Sequence, residues 1–260
     1  MLTVVAGPLG GGKTHWILAK LLNRQETTSS PSGVYISPMT SGVDAHRLLA
    51  HIPTLKIETD QPATIRTAEN LPIYLELGNH LSLDLPWLAQ VPHHRVAVLP
   101  TPTDRNQFDW SQWADEVVQL EIPPDTAPPL SPVMPLPEPA NLWQANLSGQ
   151  VLDSASLDTF WSELTQGAYG EVIRAKAIVD LADGQSFYFD FLQSRDTQSQ
   201  ALPLPKWLKG RPDRFSGIEV MGKSLDPPSL VSTLQACCLS DALLASHQAT
   251  IRQNQFQEVA

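Results

Sequence analysis

Apolar residues along this chain fall in short runs separated by polar turn-formers, and the runs alternate between the period of a strand and the period of a helix. Leu2-Thr3-Val4-Val5-Ala6 is a buried-strand run, and after a glycine-rich stretch His15 to Asn23 sets Ile17, Leu18, Leu21 and Leu22 at helical spacing. The turn-former cluster Thr27-Thr28-Ser29-Ser30-Pro31-Ser32-Gly33 leads into a second strand, Val34-Tyr35-Ile36-Ser37. Val43, Leu48, Leu49 and Ile52 recur as on a helix, and Leu55 to Glu58 alternates as a short, half-exposed strand. Ile73 to Gly78 and Arg95 to Leu99 are further strand runs, with a short helix expected over Leu85 to Gln90. Trp110 to Glu116 reads as a helix running into a last strand, Val117 to Ile122. Such alternation predicts an α/β unit with a mostly parallel sheet covered by helices on both faces.

The pattern then breaks. Pro123, Pro124, Pro128, Pro129, Pro132, Pro135, Pro137 and Pro139 deny regular pairing, so residues 126–150 are expected to be a linker or extended crossing segment, with docking into an aromatic groove the rarer use of such a tract. Beyond it, Leu157 to Leu164 reads as a helix, and Glu171 to Asp180 and Gln185 to Leu192 as two strands joined by the hairpin signal Asp183-Gly184. Phe215 to Met221 offers a third strand. Pro228 to Ala245 reads as one helix with Leu230, Leu234 and Cys238 inward, so a small α+β domain is expected over 151–245 after a first domain over 1–125, with 246–260 as a tail.

Composition narrows the classes of function. The 260 residues, 42% hydrophobic, suffice for one good core and a smaller second one. The net charge of −10 is spread evenly, with 8 basic and 13 acidic residues up to Asp125 and 9 and 14 after it. No basic face results, which argues against nucleic acid as a partner. No charged leader precedes the first strand and no apolar run approaches the roughly 18 residues needed to span a bilayer, so a cytoplasmic protein without a membrane partner is expected. Two adjacent cysteines, Cys237 and Cys238, exclude a disulfide framework and read as buried helix residues.

The chemistry concentrates in Gly7-Pro8-Leu9-Gly10-Gly11-Gly12-Lys13-Thr14, which fits G-x-x-x-x-G-K-[ST] between a strand and a helix that opens with His15. Glycines let the backbone turn tightly and aim successive N–H groups at phosphate oxygens, and the helix N-terminus adds partial positive charge. Lys13 would reach the β- and γ-phosphates of a nucleotide, and Thr14 would hold magnesium. A turn that merely joins strand to helix has no packing use for that Lys-Thr pair. Other candidates are weaker. His46 and His51 are five apart and His93 and His94 adjacent, spacings that put no two imidazoles on one helical face. Lys206, Lys209, Arg211 and Arg214 around Trp207 read as a solvated loop rather than an anion site.

These residues resemble the CobW-type branch of the metal-linked P-loop GTPases, whose loops commonly read G-F-L-G-S-G-K-T. Ser41-Gly42-Val43-Asp44-Ala45, with Leu48 and Leu49, looks like that family's G-x-x-x-[IV]-D-x-x-L segment. Ile73-Tyr74-Leu75-Glu76-Leu77-Gly78 is similar to its strand ending in E-[TS]-[SA/T]-G, with the glycine one residue early, and Arg95 to Leu99 resembles the strand that follows. Trp113-Ala114-Asp115-Glu116-Val117-Val118 resembles the approach to its base-recognition motif. Tyr169 to Ala177, the hairpin to Phe191, and Arg214 to Asp226 look like its C-terminal domain. Two family features are missing: no C-x-C-C lies around Ile57 to Ala63, and Gln119-Leu120-Glu121-Ile122-Pro123 stands where N-K-x-D would bind guanine.

The resemblance implies a protein that binds GTP or ATP with magnesium, slow hydrolysis of the β–γ bond, and a role in metal or cobalamin homeostasis. Under it Glu76 would act on magnesium through water beside Thr14, Asp44 would help position the attacking water, and a client protein would meet the C-terminal domain. The alternative is a relative that keeps the fold but has lost turnover and serves as an interaction or regulatory module. With no cysteine near the phosphate loop, zinc or cobalt is not expected at the first domain.

Overall fold

The computed structural model describes residues 1–25, 33–58, 71–79, 81–101, 109–121, 141–193 and 195–258. Most of the Thr27 to Gly33 turn cluster, the prolines from 123 to 139, most of Ile57 to Ala63, and His80 lie outside them. The chain divides into two compact units, Met1–Glu138 and Pro139–Ala260.

The first unit is a six-stranded sheet of β1 (Leu2–Ala6), β2 (Val34–Ile36), β3 (Lys56–Glu58), β4 (Ile73–Glu76), β5 (His93–Thr101) and β6 (Glu116–Glu121). Its order is β3-β2-β4-β1-β5-β6, and every adjacent pair is parallel. Helices α1 (Lys13–Gln25), α2 (Val43–His51) and α3 (Trp110–Trp113) accompany it, and the helix expected over 85–90 is a short 3-10 turn at Leu88–Gln90.

The strand period sorts side chains into two cores. Val5, Tyr35, Val96 and Val98 pack with Trp16, Ile17, Leu18 and Leu21 of α1 and Ala45 and Leu48 of α2. Leu2, Val4, Ala6, Ile73, Leu75 and Leu77 point the other way, onto Leu88 and Trp113. Leu22 is 37% exposed, so Trp16 takes the place on the buried stripe that the spacing assigned to it.

The second unit is an antiparallel sheet of β7 (Asn141–Asn146), β8 (Glu171–Asp180), β9 (Ser186–Leu192), β10 (Arg195–Ala201) and β11 (Gly217–Lys223), in the order β10-β9-β8-β11-β7. Helix α4 (Ser154–Thr165) and the first part of α5 (Pro227–Ala236) cover one face through Leu157, Phe160, Leu164, Leu230 and Leu234. Asp153 caps α4 through the Ser156 N–H at 2.9 Å, and Asp226 caps α5 with Pro227 in its first turn. The Asp183-Gly184 turn forms as read, with Gly184 at φ 81°.

Three elements differ from the sequence reading. Residues 141–146, read there as connection, pair with β11 as the edge strand β7. Polar β10, RDTQSQA, pairs with β9 although it shows no apolar alternation: most of its residues are exposed, and its backbone pairing and the Trp161 Nε1–H donated to Thr197 Oγ1 at 3.1 Å hold it. The single helix read over 228–245 is two, α5 and α6 (Asp241–Glu258), and Cys237-Cys238 sit in the break rather than in a helix. The physical cause is pairing from elsewhere: Leu152 bridges Cys238, and the Leu239 N–H donates to Val151 O at 2.8 Å. Helix α6 also runs through most of the segment read as a tail.

Asp180, 1% exposed at the end of β8, accepts from Arg214 Nε at 2.8 Å and from the Ser186 hydroxyl. Arg214 also donates to Gly184 O at 3.0 Å, so one guanidinium ties β8 to the hairpin turn. Removing one partner of a buried pair strands the other charge. Arg214→Met is expected to cost about 3–5 kcal/mol in urea unfolding followed by tryptophan fluorescence; an unmoved midpoint would show that Asp180 is satisfied without it.

Candidate functional site

The glycine loop leaves β1 at Ala6 and enters α1 at Lys13, on the carboxyl edge of the parallel sheet where α/β folds bind ligands. Its path requires glycine at two places. At Gly7, φ is 152° and a Cβ would lie 2.1 Å from Val98 O of β5. At Gly12, φ is 90° and a Cβ would lie 2.7 Å from Leu120 Cδ1 of β6. The loop therefore rides directly on the backbone of β5 and the side chain of β6, with a tight turn closed by Gly11 N–H to Pro8 O at 3.0 Å.

Lys13 is 8% exposed and its ammonium lies over the loop. It donates to Gly7 O at 3.1 Å, to Pro8 O at 3.2 Å and to Asn79 Oδ1 at 3.1 Å. Asn79 follows directly on the Glu76-Leu77-Gly78 corner, so the lysine links the loop to the end of β4. His15, one residue past Thr14, is exposed.

Beneath the loop lies a buried carboxylate. Parallel pairing sets Glu76 beside Val5, and the strand period turns Tyr74 and Glu76 toward α1 while Leu75 and Leu77 face the opposite core. Glu76 is 5% exposed and accepts the Thr14 hydroxyl at 3.0 Å on both carboxylate oxygens. Tyr35, 0% exposed on neighbouring β2, donates its hydroxyl to Oε2 at 3.0 Å. Burial, then the Glu76 carboxylate and that of Asp44, push the Tyr35 hydroxyl well above its ordinary range. It therefore stays protonated and acts as a donor. Asp44 stands in the first turn of α2 behind Gly42, itself left-handed at φ 89°, and is 5% exposed. Its charge is the smaller of the two that favour the protonated Tyr35 hydroxyl.

The structure thus brings Lys13, Thr14 and Glu76 to one edge, with Asp44 close by. Tyr35 and Asn79 are additions that the sequence reading missed. Tyr35 carried a signal in being the one aromatic in a short strand of Val and Ile; Asn79 carried only its place after the glutamate corner.

Away from this edge, His94 lies between Asp115 at 3.6 Å and Glu116 at 3.2 Å at the opposite end of β5 and β6. Among the described residues no group of three or more His, Cys, Asp or Glu is arranged to hold a metal ion. No helix among them is long and apolar enough to cross a membrane. Cys237 is 3% exposed, and burial, with smaller contributions from Cys238, Asp153 and Glu163, pushes its thiol up to about 11. A thiol held protonated is a poor nucleophile. Iodoacetamide near neutral pH is expected to leave Cys237 unmodified in the folded chain and to modify it in urea, read by mass spectrometry; rapid native labelling would contradict the burial.

Comparison with known proteins finds one domain model and a few solved structures similar to this chain. The sequence model of the cobalamin synthesis protein cobW C-terminal domain matches residues 147–238, within the second unit. No curated protein matches the chain. Among solved structures, Zn(II)-bound YjiA GTPase from E. coli aligns over 91% of this chain and 98% of its own, at 11% identity and a TM-score of 0.33. A Zn(II)-bound triple mutant of YjiA GTPase aligns over the same shares at 10% identity and a TM-score of 0.33. The second unit thus matches the cobW C-terminal domain, and it follows a unit whose parallel sheet carries the glycine loop.

Proposed function

We propose that the first unit binds a purine nucleoside triphosphate through its β- and γ-phosphates, with magnesium, and hydrolyses it slowly. The contact between Thr14 and Glu76 under a glycine loop carries this reading, because it joins the start of α1 to the end of β4 at the point where phosphates meet a helix N-terminus. A loop that sets glycine directly against β5 brings successive backbone amides to the start of α1, where a phosphate would be held. Lys13, already at the loop, exchanges carbonyl acceptors for phosphate oxygens and stabilises charge there. Thr14 and Glu76 supply hard oxygen donors, which suit magnesium rather than zinc or cobalt. Bound magnesium would neutralise charge shared between the terminal phosphates. Asp44 helps to order water at the site.

Selectivity for the base follows from what β6 presents. Leu120 packs against Gly12, and no N-K-x-D follows Val118 to hydrogen-bond a guanine edge. The same feature, together with the missing C-x-C-C, favours a second reading in which the chain binds nucleotide without turnover and works through a protein client at its C-terminal domain. A role in metal or cobalamin homeostasis belongs to either reading, and the cytoplasm is its proposed setting.

Titration with fluorescent GTP and ATP analogues tests the site. Lys13→Ala is expected to abolish binding, and the wild-type affinities for the two bases are expected to lie within about tenfold of each other. Unchanged binding in the variant would remove the loop as the site. Phosphate release under saturating nucleotide separates slow hydrolysis from the non-hydrolysing alternative.

A second expectation concerns transition metals. The first unit is expected to bind no zinc or cobalt tighter than about micromolar, roughly 8 kcal/mol. Competition against a chromophoric chelator measures this, and stoichiometric zinc lost on replacing His46 would overturn it.

A further inference from the structure

The Thr14 hydroxyl has one proton and two lone pairs, and in this structure the proton is directed at Glu76. A hydroxyl whose proton is held on one side presents its lone pairs on the other. That orientation depends on where the carboxylate lies, and Glu76 reaches its place on a side chain with free torsions. Tyr35 also holds the carboxylate: it is wholly buried on β2, with its ring packed among α1 and α2 residues and its hydroxyl 3.0 Å from Oε2. The ring is locked by packing, so the hydroxyl is a fixed point to which the glutamate is tied.

We propose that Tyr35 is a positioning residue of the phosphate-loop site, holding the Glu76 carboxylate so that the Thr14 hydroxyl keeps its proton toward Glu76 and its lone pairs toward a divalent cation bound with the nucleotide. The inference rests on the nucleotide reading above and adds to it a residue that touches neither phosphate nor cation. Partners of this kind orient the ligands that do touch a metal, and losing one commonly lowers metal affinity by about tenfold or more.

The test reads magnesium rather than turnover. A fluorescent nucleotide analogue is titrated into the full chain in EDTA and then in rising magnesium, for the wild type, Tyr35→Phe, Glu76→Gln and the double variant, with the thermal unfolding midpoint of each recorded. Tyr35→Phe is expected to raise the magnesium concentration for half-maximal effect by about tenfold. Its metal-free affinity should change less than that, and the increment should vanish in the Glu76→Gln background, since the proposed effect of Tyr35 on magnesium runs through that carboxylate. An unchanged magnesium requirement in Tyr35→Phe would overturn the proposal. So would an equal increment in both backgrounds, which is the signature of a general structural role. If Tyr35→Phe does not fold, Glu76→Gln alone decides, because a magnesium requirement equal to the wild type would mean that no carboxylate holds Thr14. Nucleotide binding that Lys13→Ala leaves intact would instead defeat the phosphate-loop reading itself, and the two failures are distinct.

Discussion

Burying a carboxylate costs several kcal/mol unless donors replace water, and Glu76 sets that condition for the first unit. Two of its donors come from different elements, Thr14 at the start of α1 and Tyr35 within β2, so both must stand in place around β4 for the carboxylate to keep them. The parallel order β2-β4-β1 makes this possible, since it puts the ends of three strands side by side on one edge. The glycine loop completes the arrangement by pressing against Val98 O, where any side chain would collide. Stability and the candidate chemistry therefore share the same few residues.

Asp180 poses the same physical problem in the second unit, with a structural answer. Arg214 and Ser186 both donate to its Oδ1 at the corner where β8 turns toward its hairpin. Arg211 plays a related part: it donates to Leu239 O at 2.8 Å and to Gly149 O at 3.2 Å, holding together the ends of two connections. The basic cluster that the sequence shows at Lys206 to Arg214 is thus divided. Its two arginines are committed to internal acceptors, which makes them framework rather than an anion surface.

The elements that sequence reading located are those whose own residues carry the periodic signal. β1, β4 and β5 are apolar runs buried on both sides, α1 repeats at helical spacing, and Asp183-Gly184 names its turn. The elements it missed are held by partners rather than by their own pattern. β7 lies next to a proline tract and β10 is polar throughout, so each is a strand because a neighbouring backbone pairs with it. The break between α5 and α6 has the same origin, since helical spacing continues through Cys238 while Leu152 draws that backbone into a bridge.

The sequence by itself determined the glycine loop, its strand–loop–helix setting and the α/β order of the first unit, because those depend on glycine's freedom at positive φ and on periods visible within a few residues. It also contained Glu76 and Asp44 as candidates through resemblance. Only the tertiary structure decided that Glu76 meets Thr14, that Tyr35 anchors it and that Asn79 receives Lys13, since these contacts join residues 41 to 66 positions apart. Side chains so distant meet only once strand order and register are set, and a hydrogen bond of 3 Å has no local trace in the chain that will form it.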